Sequence, residues 1–206
     1  MKIPKTTVSL WTKNVPLTKE QSRILKDKTN RALQQGRVRA QKVNTEQRIN
    51  KEKQLFAKGE SLTSKLTQNE LFVVGVALYW GEGFKNKHEH RLGFCNSDPQ
   101  MITFYISWLE KAIHVKKEDL VARLTLNMSY QEKEKKIESY WSDITEIPLN
   151  QFTRPFYQHS QWKKQYKTDE YHGVLRVHVK NSLEYLWEMR GWIAGLKHAK
   201  IGNAPG

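Results

Sequence analysis

Polar and charged residues dominate the chain as far as Ala57, and apolar residues recur there only at wide intervals. From Leu66 onward apolar positions crowd into short runs that switch between helical and strand periodicity. In the first region Leu17, Ile24, Leu25, Leu33, Val38, Val43, Ile49, Leu55 and Phe56 stand among good helix formers, with Gly36 interrupting them. A stripe that narrow predicts helical segments that bury little core. The composition changes at Gly59-Glu60-Ser61-Leu62-Thr63-Ser64, which divides a helical arm over 1–60 from a folded domain over 61–200, followed by a tail at 201–206.

The densest apolar run is Leu71-Phe72-Val73-Val74-Gly75-Val76-Ala77-Leu78-Tyr79-Trp80-Gly81. Thr67 and Glu70 form a capping box ahead of it, so the pattern predicts a helix from about Gln68 to Gly81, buried all round and too short to cross a bilayer. Glu82 then falls at the helix C-terminus, where the helix dipole disfavours an anion and a nearby cation is expected. A polar segment, Phe84 to Arg91, leads to a short strand at Leu92–Asn96 as the tip of a hairpin. Asp98 and Pro99 start a second helix, with Met101, Ile102, Tyr105, Trp108, Leu109 and Ala112 on its stripe.

Next, Leu120, Ala122, Leu124, Leu126 and Met128 alternate with Val121, Arg123, Thr125 and Asn127 as a half-buried strand. Ser129-Tyr130-Gln131-Glu132 reads as a capping box for a helix carrying Ile137, Tyr140, Trp141 and Ile144. A connection holding Pro148, Phe152, Pro155, Phe156 and Trp162 leads to a last strand, Val174–Lys180. Asn181 and Glu184 open the final helix, which runs through Leu183, Leu186, Trp187, Ile193 and Leu196. The expected class is α+β, with helices packed on one face of an antiparallel sheet.

Charge changes the picture of that sheet. The 206 residues carry 35 Lys and Arg against 21 Asp and Glu, a net +14, and 1–60 alone hold +10 of it. Such a surface calls for a polyanion. On the last strand Leu175, Val177 and Val179 point one way, so Arg176, His178 and Lys180 point the other, beside Arg123, Thr125 and Asn127 of the preceding strand. These side chains suit base edges and phosphates, although an ordinary solvated sheet face is polar as well. In the arm, Arg23, Lys26, Arg31, Arg37, Arg39, Lys42 and Arg48 are phosphate-contact candidates, the alternative being a solvated charged arm. Double-stranded DNA is the expected partner. No spanning segment or signal peptide is expected, and one cysteine, Cys95, fits a reducing, cytoplasmic setting.

Ala77-Leu78-Tyr79-Trp80-Gly81-Glu82-Gly83 resembles the end of the signature helix of the LAGLIDADG homing endonuclease family, and the element order from about Leu66 to Lys197 is similar to a single unit of that fold. An extra helix between the last two strands departs from the family's pattern, as do Gly75, where the family prefers an aliphatic, and the bulky Tyr79 and Trp80. The resemblance implies a symmetric homodimer in which Ala77 and Gly81 let two signature helices pack closely. It implies Glu82 as the ligand of a catalytic Mg²⁺, with Lys180, Arg176 or His178 stabilising charge and Lys180 ranked first because the family has a lysine on its last strand. The activity implied is Mg²⁺-dependent cleavage of a near-palindromic DNA site. A non-catalytic regulator of the WhiA type and an RNA-processing maturase are the alternatives that the same fold allows.

Thr6-Thr7-Val8-Ser9-Leu10-Trp11 with Asn14-Val15-Pro16-Leu17 reads as the second half of a helix-turn-helix whose first helix has no room before Met1, hence a remnant. His88-Glu89-His90 reads as a polar hairpin tip rather than a metal site, Cys95 as a small strand residue, and the tryptophans as core. No phosphate-cradling glycine loop or nucleophile elbow occurs.

Overall fold

The computed structural model describes residues 3–159 and 171–200. The chain divides into two units, 1–65 and 66–206. In the first, α1 (Lys5–Thr12) follows Pro4 and buries nothing. The second helix, α2 (Lys19–Thr63), opens on a complete capping box: the Gln21 N–H donates to the Thr18 hydroxyl, and the Thr18 N–H donates to the Gln21 side chain. It then runs 45 residues without a buried side chain. Gly36 does not divide it into segments, because one glycine costs a helix only about 1 kcal/mol and strong formers flank it on both sides. Nor does the helix stop at Gly59; it continues through the Gly/Ser/Thr stretch to Thr63.

The second unit is α+β, with a four-stranded mixed sheet in the order β1-β4-β2-β3 among the described residues. Its elements are α3 (Gln68–Glu82), β1 (Gly93–Asn96), α4 (Pro99–Ala112), β2 (Leu120–Asn127), α5 (Glu134–Thr145), β3 (Phe152–Gln158), β4 (Val174–Val179) and α6 (Leu183–Lys197). β1 and β2 flank β4 antiparallel, but β3 runs parallel to β2. The sheet is therefore not the antiparallel one expected. Helix α5 returns the chain to the starting edge before β3 begins, and a helical crossover joins parallel neighbours.

Strand β3 lies in what the sequence presented as a Pro-containing connection. Its register against β2 shifts where Arg154 and Pro155 stand opposite Leu124, so the proline, which has no N–H to donate, occupies a bulge on an edge strand. Trp162 lies outside the described residues. Two other local expectations fail for related reasons. Ser129–Glu132 forms a 3₁₀ turn held by the Asn127 side chain, which accepts from the Ser129 N–H and hydroxyl at 3.1 and 2.8 Å. Asn181 is a left-handed turn residue at φ 46°, while Ser182 donates to the Val179 carbonyl and accepts from the Leu92 N–H.

Leu120, Ala122, Leu124 and Leu126 of β2 join Leu175, Val177 and Val179 of β4 as the inner face of the sheet, all buried. The core is completed by Phe94, Tyr105 and Trp108, stacked at 4.8 and 5.9 Å between ring centres, with Tyr79 beside Tyr105. Helix α3 is not buried all round. Gly75, Val76 and Tyr79 are buried, whereas Val73, Val74, Ala77, Trp80 and Gly81 face outward, Val74 at 41% and Trp80 at 40% exposure.

Gly75 explains how α3 approaches α4. A Cβ there would stand 1.9 Å from Trp108 Cδ1, so only glycine admits the indole, whose Nε1 donates to the Phe72 carbonyl at 3.2 Å. Gly75→Ala should therefore cost about 1–3 kcal/mol as an overpacked core site. The urea midpoint measures this, and an unchanged midpoint would mean that the contact is slack.

Candidate nucleic-acid interface

The outer face of the sheet is built by the alternation of β2 and β4. Arg123 stands directly opposite Arg176, Val121 opposite His178 and Thr125 opposite Val174, while on the other side of β4 Cys95 pairs with Arg176 and Gly93 with His178. Arg123, Thr125, Arg176 and His178 are half-buried on this face, as the alternation predicts. Asn127 is not: it is 5% exposed and its side chain holds the turn after β2, which removes it from a DNA-facing surface.

Phe84, Glu89, Arg91, Arg123, Thr153, Arg176, His178 and Lys180 line a cleft of about 600 Å³. Phe84 returns over the sheet because its N–H donates to the Gly93 carbonyl, and a Cβ on Gly93 would stand 2.4 Å from the Phe84 ring. The Arg176 guanidinium covers that ring at 3.9 Å and reaches Glu89 at 3.5 Å. Arg123 leans on Phe156 at 5.6 Å, and its Nε is buried with no hydrogen-bond partner. Two guanidiniums face one another across neighbouring strands, an arrangement that is repulsive without an anion, and Glu89 meets only one of them.

His178 lies in the same field. Its Nε2 is 3.1 Å from Arg91, and burial, then Arg91 and Arg176, push its pKa down to about 4 against a small opposing pull from Glu89. It is therefore the neutral imidazole, a hydrogen-bonding group rather than a cation, at neutral pH. Lys180 lines the cleft but donates to the Glu118 carbonyl at 2.8 Å.

Glu82 ends α3 as an exposed carboxylate with no hydrogen bond or ion pair among the described residues. The cation expected at this helix end is Lys85, whose ammonium bonds the Trp80 and Gly81 carbonyls, the latter at 2.9 Å. Gly83 forms a bridge with Phe94, which brings Glu82 beside Cys95, whose thiol pKa is raised first by burial, against the pull of Arg176, with Glu82 adding a smaller push upward. Lys180 is four residues beyond Arg176 along the strand direction, roughly 13 Å at strand rise. The geometry thus draws Glu82 toward Arg176 rather than Lys180.

Ala77 and Gly81 both lie on the exposed face of α3, and Arg31, Arg37 and Arg39 on the exposed surface of α2. Two contributors to the cleft, Arg91 and Glu89, were not picked out as binding groups from the sequence. Only the bridge at Gly83, which turns the polar segment over the sheet, reveals them. Among the described residues no helix is long and apolar enough to cross a membrane, and no three His, Cys, Asp or Glu side chains gather as a metal site. Compared with protein-family models, curated proteins and solved structures, the chain matches none.

The depressed pKa of His178 has a sign. The unfolded chain binds a proton near pH 6.5 that the folded chain refuses until about 4, so this residue's contribution is complete above 6.5 and is lost as pH falls through that window. His178→Ala should flatten the slope of stability against pH between 6.5 and 4. An NMR titration placing the His178 ring above pH 6 would contradict the burial argument.

Proposed function

We propose that this chain is a DNA-binding protein that docks duplex DNA on the outer face of its sheet as a homodimer and acts as a LAGLIDADG-like endonuclease. The observation that carries the reading is the Arg123–Arg176 pair, with Arg91 and Lys180 in the same cleft and, among the described residues, a single carboxylate, Glu89, against them. A cleft so unbalanced gains most from an anionic ligand, and a sheet face of Arg, His and Thr suits a groove edge. The homodimer rests on the outward face of α3, where Val73, Val74, Ala77, Trp80 and Gly81 form an apolar strip ending at Glu82.

A two-fold axis along that strip would bring the two Glu82 side chains together. Mg²⁺ is commonly held by one or two carboxylates, waters and substrate phosphates rather than by an all-protein cage, and an exposed Glu82 with no competing partner fits that demand. When bound, the ion would supply an activated water and charge neutralisation at the phosphate. Glu82 would hold it, Arg176 would face the same phosphate, and neutral His178 could accept or donate a hydrogen bond. The position of Lys180, tied to the Glu118 carbonyl, gives it a lesser part. The WhiA-type reading keeps the DNA-docking face without cleavage.

Gly81 provides a clean test of the dimer, because a Cβ there meets nothing within 4 Å of the isolated unit. Gly81→Leu should keep the fold and lower the molar mass in light scattering from dimer to monomer; a wild type that is already monomeric at tens of micromolar would remove the homodimer. For chemistry, Glu82→Gln should retain duplex binding and abolish Mg²⁺-dependent cutting of a plasmid target library. A folded wild type that binds DNA yet cuts nothing across a deep library would leave the regulator reading in place.

A further inference from the structure

We infer that α2 is a second DNA-binding element, separate from the sheet, that enters the major groove of duplex DNA along one defined face. The helix carries twelve Lys and Arg against five Asp and Glu, a net +7, and buries none of its 45 residues. Its charges are ordered around the axis. At about 100° per residue, Leu25, Thr29, Ala32, Gly36, Ala40 and Val43 fall within about 40° of Gly36 and make one strip. Lys26, Arg37 and Arg48 border it on one side and Lys28, Arg39 and Lys42 on the other, where Lys42 pairs with Glu46 at 4.0 Å, while Glu20, Asp27 and Glu52 lie opposite together with Arg31.

This is the distribution that a helix lying in a groove requires. Short side chains let the backbone approach base edges, and long cations on both flanks reach the two phosphate walls. A shallow groove in the helix surface follows this strip from Thr29 past Gly36 to Ala40, with Leu33 and Arg37 on one edge. Glycine at its centre is, after proline, the poorest helix former, and here a Cβ would meet nothing within 4 Å, so no contact among the described residues calls for it. The bare backbone leaves room for a ligand to approach closely.

Charge and shape select the occupant. B-form DNA offers a major groove about 12 Å wide, matched to a helix of 10–12 Å, whereas the corresponding groove of RNA is too narrow for side chains to read. A second copy of α2 fits poorly, because pairing along this strip would bring the two basic borders of each helix against those of the other, with only Leu25, Leu33 and Val43 as sizeable apolar residues along the seam. An anionic membrane would require a broad apolar face with large side chains, which the strip lacks.

The test uses the full chain and duplex DNA, read by fluorescence anisotropy across salt. Gly36→Leu/Ala40→Leu fills the strip, keeps every charge and improves helix propensity, so loss of fold cannot explain its effect; affinity should fall at least 10-fold. Val38→Leu, on the opposite side, should bind as wild type. Arg37→Ala/Arg39→Ala should reduce the salt slope by about 2, at roughly 0.9 per phosphate contact.

Guanine N7 methylation should interfere with binding by the wild type and equally by Arg123→Ala/Arg176→Ala, which disables the sheet face. Loss of all binding in that sheet variant would favour the sheet alone and overturn a second element, whereas retained binding with N7 interference would uphold α2 even if the sheet reading failed. Wild-type affinity in the filled-strip variant would overturn the proposal. So would a change in that variant's oligomeric state without DNA, which would assign the strip to self-association, or stronger binding to anionic vesicles than to DNA.

Discussion

The approach of the Trp108 indole to the bare backbone of α3 at Gly75 sets much of the second unit. It fixes the rotation of α3 about its axis, because the indole can lie this close only against the bare backbone at Gly75. With Gly75, Val76 and Tyr79 turned inward, Val73, Val74, Ala77, Trp80 and Gly81 have no direction left but outward. Had position 75 carried an aliphatic side chain, α4 would have to retreat or α3 to rotate, and the exposed strip would move. The glycine at position 75 and the exposure of the Ala77–Gly81 face are thus tied to one contact. Tyr79 extends it: its hydroxyl, with a pKa pushed up to about 12 by burial, donates to the Phe84 carbonyl at 2.7 Å and so anchors the start of the segment that covers the sheet.

The two basic surfaces are organised on different principles. On the sheet, strand alternation places the charges about one strand spacing apart on a platform whose other side is core, and their repulsion is held by packing beneath them. Aromatic rings stand beside both arginines, Phe84 under Arg176 and Phe156 under Arg123, spreading part of that cost. On α2 nothing packs beneath, so the charges are held only by helix geometry and relax freely into solvent. The sheet's charges are thus held in place by the packing beneath them, whereas those of the arm are free to move with their side chains.

What the sequence revealed divides along the same line. Periodicity alone located α3, α4, β2, β4 and α6 and assigned Arg123, Thr125, Arg176 and His178 to the outer face, because a strand with one buried side leaves no freedom of register. It failed where a local signal had a tertiary competitor. Pro155 argued against a strand, yet a bulge on an edge tolerates it. Asn127 obeyed the alternation but its short amide was captured by the turn that follows. The nearly unbroken apolar run of α3 promised burial on every side, and a single chain has too few helices over that face to supply it. Gly36 looked like an interruption because propensity was weighed at one residue instead of across 45. For the site, the alternation found the arginines but could not find Glu89 and Arg91, whose positions depend on a bridge between residues on either side of a loop.

That loop is where the charge of the helix end and the charge of the sheet meet. Lys85, near its start, neutralises the carbonyl end of α3, which leaves the Glu82 carboxylate as the net charge exposed there. Glu89, near its end, is the only carboxylate lining the cleft among the described residues, and it is paired with Arg176. Burial, together with Arg91 and Arg176, in turn holds His178 neutral. A phosphate entering the cleft would compete with Glu89 for Arg176, and its negative charge would raise the affinity of His178 for a proton. The protonation of His178 and the occupancy of the Arg176–Glu89 pair are therefore coupled to anion binding through one short segment, and that segment begins at the residue after Glu82.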